Sequence, residues 1–209
     1  MSIDIKKVNG DLKGKSPHEV IQWALSIENP NAILTTNFRP HEAVIVHAVT
    51  QVKPDIPVVW IDSGYNMKAT YKFAQKVIND FKLNILTYTP LVTAANREAI
   101  YGGIPSIDDK EAHDLFTAEV KLEPFNRALQ ELKPKIWLTA LRREQTPHRE
   151  TLDFVVEERN GIIKVSPFFY FTEAEMDEYL EKYNLPNENA YFDPTKVLDK
   201  RECGLHLAK

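Results

Sequence analysis

The sequence contains one cysteine, Cys203, which lies near its end in the segment 200–206. Lys200 and Arg201 precede it, and neighbouring cations favour the thiolate, the form of cysteine that attacks an electrophile. His206 can stabilise this thiolate or take part in proton transfer. The segment therefore predicts a reactive thiol, and the alternative is a disordered tail that happens to carry a cysteine. A single cysteine excludes an intrachain disulfide and a four-cysteine iron–sulfur cluster within the chain.

Cationic side chains are concentrated in a second segment. Three of the eight arginines, Arg142, Arg143 and Arg149, fall within eight residues of a chain whose net charge is −4. Guanidinium groups bind phosphate or sulfate oxygens through two parallel hydrogen bonds. Because a predicted strand comes directly before this segment, we expect an anion-binding loop. The alternative is a solvated loop in which Glu144 pairs with an arginine.

Two further loops that follow predicted strands contain polar side chains. Thr35 and Thr36 come directly before a predicted helix, where hydroxyl groups and backbone amides suit a phosphate. The alternative is a helix cap, and the segment lacks the glycines and the Lys-Ser/Thr pair of a P-loop. In the next loop, Asp62 can bind a ribose or an adenine edge, and Gly64 permits a tight turn. The alternative there is a turn capped by Asp62 and Ser63.

The remaining candidates carry weaker signals. Lys121 precedes a predicted helix, and nothing in its spacing distinguishes it from a surface lysine. His41 and His47 lie six residues apart on a predicted helix, and therefore do not share a face. The other histidines outside the final segment also lack metal-ligand spacing, so we expect no metal; they are His18, His113 and His148.

Predicted helices and strands must position these residues. Ser16 and Glu19 predict a capping box, with Pro17 at the first helical position. Asn160 and Gly161 give a hairpin signal. The further predicted helices are 40–52, 67–81, 123–132 and 172–183, and the predicted strands are 32–34, 58–61, 83–88, 136–139, 154–157 and 162–165.

The alternation of these elements predicts an α/β fold, with a mostly parallel sheet and helices on both faces. Ligands of such sheets bind beyond the carboxyl ends of the strands. We therefore expect the loops 35–40, 62–66 and 141–149 to meet at one crevice. Residues 184–209 lack strong periodicity, which predicts a domain over residues 1–183 and a flexible C-terminal tail over 184–209.

Composition and charge exclude several classes of partner. The chain is 43% hydrophobic and 27% charged, which is ordinary for a soluble globular protein. The net charge of −4 argues against nucleic acid or an anionic membrane surface as the main partner. No apolar run approaches the roughly 20 residues that span a bilayer, and the first residues do not resemble a signal peptide. We expect a cytoplasmic protein.

Several segments together resemble the phosphoadenosine phosphosulfate reductases, the thioredoxin-dependent enzymes of sulfate assimilation. Residues 200–206, KRECGLH, reproduce the signature tail of that family. Residues 141–145, LRREQ, resemble another of its motifs, and 121–132, KLEPFNRALQEL, are similar to its K-V-E-P-x-N-R-A-L segment. Residues 60–65, WIDSGY, resemble its strand that ends in D-T/S-G-Y. The matches occur in the family's order from about residue 32 to residue 206.

The resemblance implies a fold of the adenine-nucleotide alpha-hydrolase type, with a nucleotide-binding domain over 1–183 and a catalytic tail over 184–209. It implies that the Cys203 thiolate attacks the sulfur of 3′-phosphoadenosine 5′-phosphosulfate and that a thioredoxin or glutaredoxin thiol then releases sulfite. The family also suggests a homodimer, and no cofactor is implied. The implied catalytic residues are Cys203 and His206. The candidate substrate-binding residues are Thr35, Thr36, Phe38, Asp62, Gly64, Lys121, Arg142, Arg143, Gln145, Arg149, Lys200 and Arg201.

Two segments differ from the family pattern. Arg39 stands where the first loop usually has a glycine, so that its charge offers another way to bind phosphate. Residues 184–199 are too short for the family's G-D-x-H-T-T-like loop. Adenosine 5′-phosphosulfate is therefore an alternative substrate, although its reductases commonly carry paired cysteines that this chain lacks. Two more hypotheses stay open: a nucleotide-binding relative without reductase activity, and an ATP pyrophosphatase, whose S-G-G-x-D-S loop is absent.

Overall fold

A mostly parallel sheet forms the centre of the molecule. The computed structural model describes residues 3–27, 31–106, 108–158 and 160–196, and within these ranges the sheet has six strands in the order β3-β2-β1-β4-β6-β5. All neighbouring strands are parallel except β5 and β6, which form an antiparallel hairpin. The strands are β1 (Ala32–Thr36), β2 (Pro57–Ile61), β3 (Asn84–Tyr88), β4 (Ile136–Leu138), β5 (Val155–Glu157) and β6 (Ile163–Val165).

Helices precede the first strand, connect the parallel strands and follow the last strand in the sequence. They are α1 (Ile5–Leu12), α2 (Pro17–Ser26), α3 (Glu42–Val52), α4 (Lys68–Phe81), α5 (Ala94–Tyr101), α6 (Lys110–Thr117), α7 (Glu123–Leu132) and α8 (Glu173–Lys182). A π-helix (Ala118–Leu122) joins α6 to α7, and two 3-10 helices (Arg143–Gln145 and Pro147–Thr151) follow β4. Among the described segments, none of the helices has the length and apolar character that crossing a bilayer requires.

Alternate strand residues contribute to two apolar layers, because successive side chains of a strand point to opposite faces. Leu34 and Leu138 belong to the larger core, which also contains buried residues of α2, α3, α4 and α8. Ile33 and Trp137 belong to a smaller core, which contains Phe125 of α7. The predicted α/β class, with helices on both faces of the sheet, is therefore confirmed.

A capping box is present at the start of α2, as predicted, and a second one occurs at the start of α8. The Ser16 hydroxyl accepts a hydrogen bond from the Glu19 amide at 3.3 Å, and the Glu19 carboxylate accepts one from the Ser16 amide at 2.8 Å. The bond from the Ser16 amide is the main cause that lowers the pKa of Glu19 to about 2, with help from Lys15 and the Ser16 hydroxyl. Thr172 and Glu175 form the same reciprocal pair at the start of α8. The hairpin predicted around residues 160–161 also joins β5 to β6.

Other elements differ from the prediction. Helix α3 begins at Glu42 rather than at Pro40, because His41 has the left-handed conformation (φ 68°) and interrupts the helical path. The prediction does not include helices α1, α5 and α6. Each has eight residues, little more than two turns, so that its apolar period is short. The π-helix lacks a sequence signal of its own.

Candidate active site

A cleft lies at the edge of the sheet where β1, β2 and β4 end. Its volume is about 840 Å³, including its open mouth. It is lined by the loops that follow these strands, by the π-helix and by residues 191–196. The prediction that the three loops meet at one crevice is therefore confirmed. This is where ligands of parallel α/β sheets bind.

The loop after β1 presents two hydroxyl groups to the cleft. Thr35 and Thr36 both line it, and the Trp137 indole fixes Thr35 by donating a hydrogen bond to its hydroxyl at 2.9 Å. Thr36 in turn accepts a hydrogen bond from the Phe38 amide at 3.2 Å. The Phe38 side chain does not line the cleft; it is 1% exposed and packs edge-on against Trp60, with ring centroids 5.0 Å apart. Phe38 therefore anchors the loop in the core.

The loop after β2 is organised by Asp62. One Asp62 oxygen accepts hydrogen bonds from the Gly64 amide at 3.0 Å, the Asn66 side chain at 2.8 Å and the Tyr71 hydroxyl at 2.8 Å. Burial, followed by the hydrogen bond to Asp62 and its charge, raises the pKa of Tyr71 to about 12. Asp62 and Gly64 do not line the cleft, whereas Ser63 and Asn66 do. Asp62 therefore stabilises the conformation of the loop, and other residues of the same loop, Ser63 and Asn66, line the cleft.

Gly64 has a conformational role in that loop. Its φ is +82°, which side chains rarely adopt, and a Cβ atom added to it would lie 3.1 Å from the Cβ of Ala94. Both the turn and the close approach of α5 therefore favour glycine at this position.

The loop after β4 divides its arginines between different surroundings. Arg149 is 2% exposed and lines the cleft, and its guanidinium donates to the Gln145 side chain. Arg142 is also buried, but it pairs with Glu144 and donates to the Phe171 carbonyl at 3.3 Å, outside the cleft. Glu144 therefore pairs with an arginine, as the second interpretation of this loop predicts.

The two other predicted residues of this loop, Arg143 and Gln145, also lie outside the cleft lining. Arg143 is exposed and lies over the Tyr170 ring, 5.9 Å from its centroid. The Gln145 oxygen accepts a hydrogen bond from the Arg142 amide at 3.1 Å, as well as the one from Arg149. Gln145 therefore links the buried arginine of the cleft to the backbone of the loop, because both donors share its oxygen.

Lys121 reaches the cleft from the π-helix. Its ammonium group donates to Asp193 at 2.5 Å and to the Thr195 hydroxyl at 3.0 Å. The side chains of Lys121 and Asp193 are only 12% and 7% exposed. Burial alone opposes ionisation of Asp193, but the Lys121 charge and the hydrogen bonds from Lys121 and Thr195 outweigh it and lower its pKa. π-Turns within helices often occur at functional sites.

Residues 191–196 form one wall of the cleft, and contacts to the rest of the chain hold the segment 187–196 in place. The Asn187 side chain accepts a hydrogen bond from the His41 amide at 2.9 Å, and the Pro194 carbonyl lies 3.2 Å from His113 Nε2. Thr195 is 2% exposed. The first part of the predicted tail therefore packs against distant parts of the chain. Its sequence lacks a periodic pattern, and for that reason the packing is not evident from the sequence.

The structure thus brings four of the predicted residues, Thr35, Thr36, Lys121 and Arg149, to one cleft. It leaves six outside the lining: Phe38, Asp62, Gly64, Arg142, Arg143 and Gln145. The predictions for Lys200, Arg201, Cys203 and His206 lie outside the described residues. Their roles all stay predictions.

Sequence reasoning missed several lining residues. Lys196 adds a cation and Glu42 a carboxylate, whereas Arg39, whose charge offers another way to bind phosphate, is among the residues that line the cleft. In the described part of the chain, four cations and two carboxylates line the cleft: Arg39, Lys121, Arg149, Lys196, Glu42 and Asp193. The sequence Asp-Pro-Thr-Lys at 193–196 is a turn signal that could have drawn attention to this segment. No group of three or more His, Cys, Asp or Glu side chains that could hold a metal occurs among the described residues.

This arrangement defines a class of protein: an α/β domain with a cationic cleft at the carboxyl edge of a parallel sheet, suited to an anionic ligand. Residues 31–194 match the family model of the phosphoadenosine phosphosulfate reductase domain. The chain belongs to the phosphoadenosine phosphosulfate reductase family, and it is an enzyme of this kind.

Individual relatives agree with this assignment. The chain is 33% identical to phosphoadenosine 5′-phosphosulfate reductase from a Synechococcus species, with 97% of both chains covered. It is 34% identical to the reductase of the same name from Xanthomonas euvesicatoria, with 97% of this chain and 92% of the relative covered.

Solved structures give the same fold. The crystal structure of phosphoadenylyl-sulfate reductase from Candida auris, in a phosphate complex, matches with a TM-score of 0.76 and 26% identity over 90% of each chain. The FMN adenylyltransferase from Candida glabrata matches with a TM-score of 0.58 at 15% identity, over 82% of this chain and 56% of that one. The second likeness concerns the fold alone.

Proposed function

We propose that this enzyme reduces 3′-phosphoadenosine 5′-phosphosulfate to sulfite and adenosine 3′,5′-bisphosphate, with Cys203 as the nucleophile. Family membership supports sulfonucleotide reduction in general. The observation that carries the finer proposal is the cationic cleft, where Lys121 and Arg149 line the same cavity as Thr35 and Thr36. Such a site favours a ligand that carries several phosphate or sulfate groups.

The proposed reaction has three steps. The Cys203 thiolate attacks the sulfur of the sulfate group, the bond from that sulfur to the bridging oxygen breaks, and the bisphosphate leaves with the electron pair. Cys203 then carries a thiosulfonate. A thiol of thioredoxin or glutaredoxin attacks the Cys203 sulfur and releases sulfite, which leaves a mixed disulfide. The second thiol of the partner resolves this disulfide, so that the partner is oxidised and the Cys203 thiolate returns.

This chemistry assigns different tasks to the two parts of the chain. Residues 1–183 would bind the nucleotide, and the segment 184–209 would carry the thiol to the substrate and then to the reductant. Residues 191–196 line the cleft and lie ahead of Cys203 in the sequence, which supports a connection between the nucleotide and the thiol. His206 would stabilise the thiolate, and Lys200 and Arg201 would add positive charge. No resident cofactor takes part.

The test measures sulfite release from both sulfonucleotides, each with thioredoxin and with glutaredoxin. We expect turnover of the 3′-phosphorylated substrate, and we expect Cys203→Ser to abolish it while adenosine 3′,5′-bisphosphate still binds. Normal turnover by this variant would refute the thiol mechanism. Preference for adenosine 5′-phosphosulfate would refute the substrate assignment, and tight bisphosphate binding without turnover would indicate a non-catalytic relative.

Two further properties are proposed on the same basis. A cytoplasmic location would keep the single thiol reduced and bring it together with thioredoxin.

A homodimer is suggested by the family, and sedimentation at micromolar concentration would detect it. A monomer under those conditions would contradict the dimer without affecting the reaction.

A further inference from the structure

Arg39 and Glu42 form an ion pair inside the cleft. The Arg39 Nε donates to Glu42 Oε1 at 3.2 Å, and both residues line the cleft. The Glu42 side chain is 6% exposed, whereas that of Arg39 is 22% exposed. The carboxylate is therefore the buried partner, and the guanidinium is the partner that a ligand can reach.

The backbone holds this pair in a tight turn. The Glu42 amide donates to the Arg39 carbonyl at 3.1 Å, and His41 between them has a φ of 68°. His41 is itself fixed, because its amide donates to Asn187 at 2.9 Å and its Nε2 lies 2.8 Å from Asp177. Contacts of His41 with Asn187 and Asp177 therefore fix the backbone segment that carries Arg39.

The hydrogen bonds of Arg39 leave its outer edge available. In the described part of the chain, only Nε of the guanidinium is used, and neither terminal nitrogen makes a hydrogen bond. A guanidinium fixed at Nε presents its two terminal nitrogens in one plane, the geometry that binds an oxyanion through two hydrogen bonds.

Glu42 also has an unused hydrogen-bonding atom. Its Oε2 is buried without a hydrogen-bond partner among the described residues. Burial raises the pKa of this carboxyl, against the opposing effects of the Arg39 charge, the Thr36 hydroxyl and the Lys196 charge. A buried carboxylate with an unpaired oxygen is costly. The hydrogen bond from Arg39 Nε to Glu42 Oε1 offsets part of this cost, and the same contact orients the Arg39 guanidinium.

We infer that Arg39 binds an oxyanion of the sulfonucleotide and that Glu42 is the positioning residue that orients it. The inference rests on the proposed function, and it gives the departure at position 39 a role. Where the family pattern has a glycine, this chain has Arg39, whose Nε is fixed by a hydrogen bond to the Glu42 carboxylate. The oxyanion belongs either to the 3′-phosphate or to the phosphosulfate at the 5′ position.

The first test is calorimetric binding of adenosine 3′,5′-bisphosphate and of adenosine 5′-monophosphate. We expect Arg39→Gln to weaken bisphosphate binding about 10- to 100-fold, the range for a lost charge-assisted hydrogen bond. Arg39→Lys should recover only part of the loss, because an ammonium cannot form the planar fork. If monophosphate binding falls equally, Arg39 contacts the 5′ side; if it is unchanged, Arg39 contacts the 3′-phosphate. Bisphosphate binding as tight as wild type would overturn the inference.

The second test separates positioning from simple charge. Glu42→Ala removes a negative charge from an anion site, so electrostatics alone would tighten binding. We expect it to weaken bisphosphate binding about 5-fold or more, and to have no further effect in the Arg39→Gln background. Glu42→Gln keeps an acceptor for Nε and should retain most of the affinity. Tighter binding by Glu42→Ala would overturn the positioning role.

The controls keep this inference separate from the proposed function. Lys76 and Asp80 form an exposed ion pair on α4, outside the cleft lining, so Lys76→Gln and Asp80→Ala should leave binding unchanged. If Glu42→Ala fails to fold in a thermal melt, Glu42→Gln and the two Arg39 variants still decide the result. Wild-type protein that neither binds bisphosphate nor releases sulfite would refute the proposed function. Wild-type activity with an unaffected Arg39→Gln variant would refute only this inference.

Discussion

Replacing Asp193 by alanine leaves the Lys121 ammonium buried without its charged partner. The Lys121 and Asp193 side chains are 12% and 7% exposed, so that water replaces little of the lost interaction. Breaking a buried ion pair by removing one partner costs about 3–5 kcal/mol. Because Thr195 still accepts a hydrogen bond from Lys121, we expect a value near the lower limit, about 3 kcal/mol. For a chain of this length that corresponds to a fall in melting temperature of about 6–12 °C.

The exposed pair on α4 provides a matched control. Lys76 and Asp80 are also 2.5 Å apart, but their side chains are 58% and 44% exposed. Asp80→Ala should therefore cost less than about 1 kcal/mol. Both variants are compared with wild type by urea unfolding and thermal melts. Equal losses for Asp193→Ala and Asp80→Ala would refute the reasoning, because burial would then have no influence on the value of the pair.

The lowered pKa of Asp193 determines how this loss depends on pH. The ordinary value is 3.8, and the folded state lowers it. The folded state therefore binds this proton less tightly than the unfolded state does, and the pair contributes fully above the ordinary value. The contribution disappears as the pH falls through the folded-state pKa. The stability difference between wild type and Asp193→Ala should narrow below about pH 4; a difference that widens there would contradict the assignment.

The remaining predictions concern a turn and a helix start. Gly64→Ala should cost about 1–2 kcal/mol in urea unfolding, because φ is +82° and the added Cβ would lie 3.1 Å from Ala94. Gly161→Ala, with φ +74° and nothing within 4 Å, is its control and should cost less; equal losses would show that Ala94 is irrelevant. Ser16→Ala removes the hydroxyl but keeps the backbone amide, so the pKa of Glu19 should rise from about 2 only part of the way toward 4.5 in an NMR titration; a full return to 4.5 would contradict the amide as the main cause.

Local signals in the sequence were sufficient for much of the fold. Both capping boxes and the hairpin depend on residues only a few positions apart, so their partners can be identified without the tertiary structure. The buried strands were identified from short apolar runs. Their meeting at one edge then follows from the parallel arrangement, and this placed Thr35, Thr36 and Arg149 in one cleft.

Contacts between distant residues limited the prediction of the site. The pair of Lys121 and Asp193 spans 72 positions, and no local pattern indicates it. Arg142 and Arg149 have the same chemistry and lie in the same loop, but only Arg149 lines the cleft. The two short 3-10 turns of that loop determine this difference, and composition cannot reveal them.

The π-helix between α6 and α7 places one residue more in a turn than an α-helix would. Helix α6 directs His113 toward Pro194, while α7 directs Phe125 into the smaller core, and both continue from the same turn. If the same five residues of Ala118–Leu122 wound as a regular α-helix, one flanking helix would rotate by about 100° relative to the other. The wall of the cleft and the packing of the sheet therefore depend on the wider winding of this connection as well as on its composition.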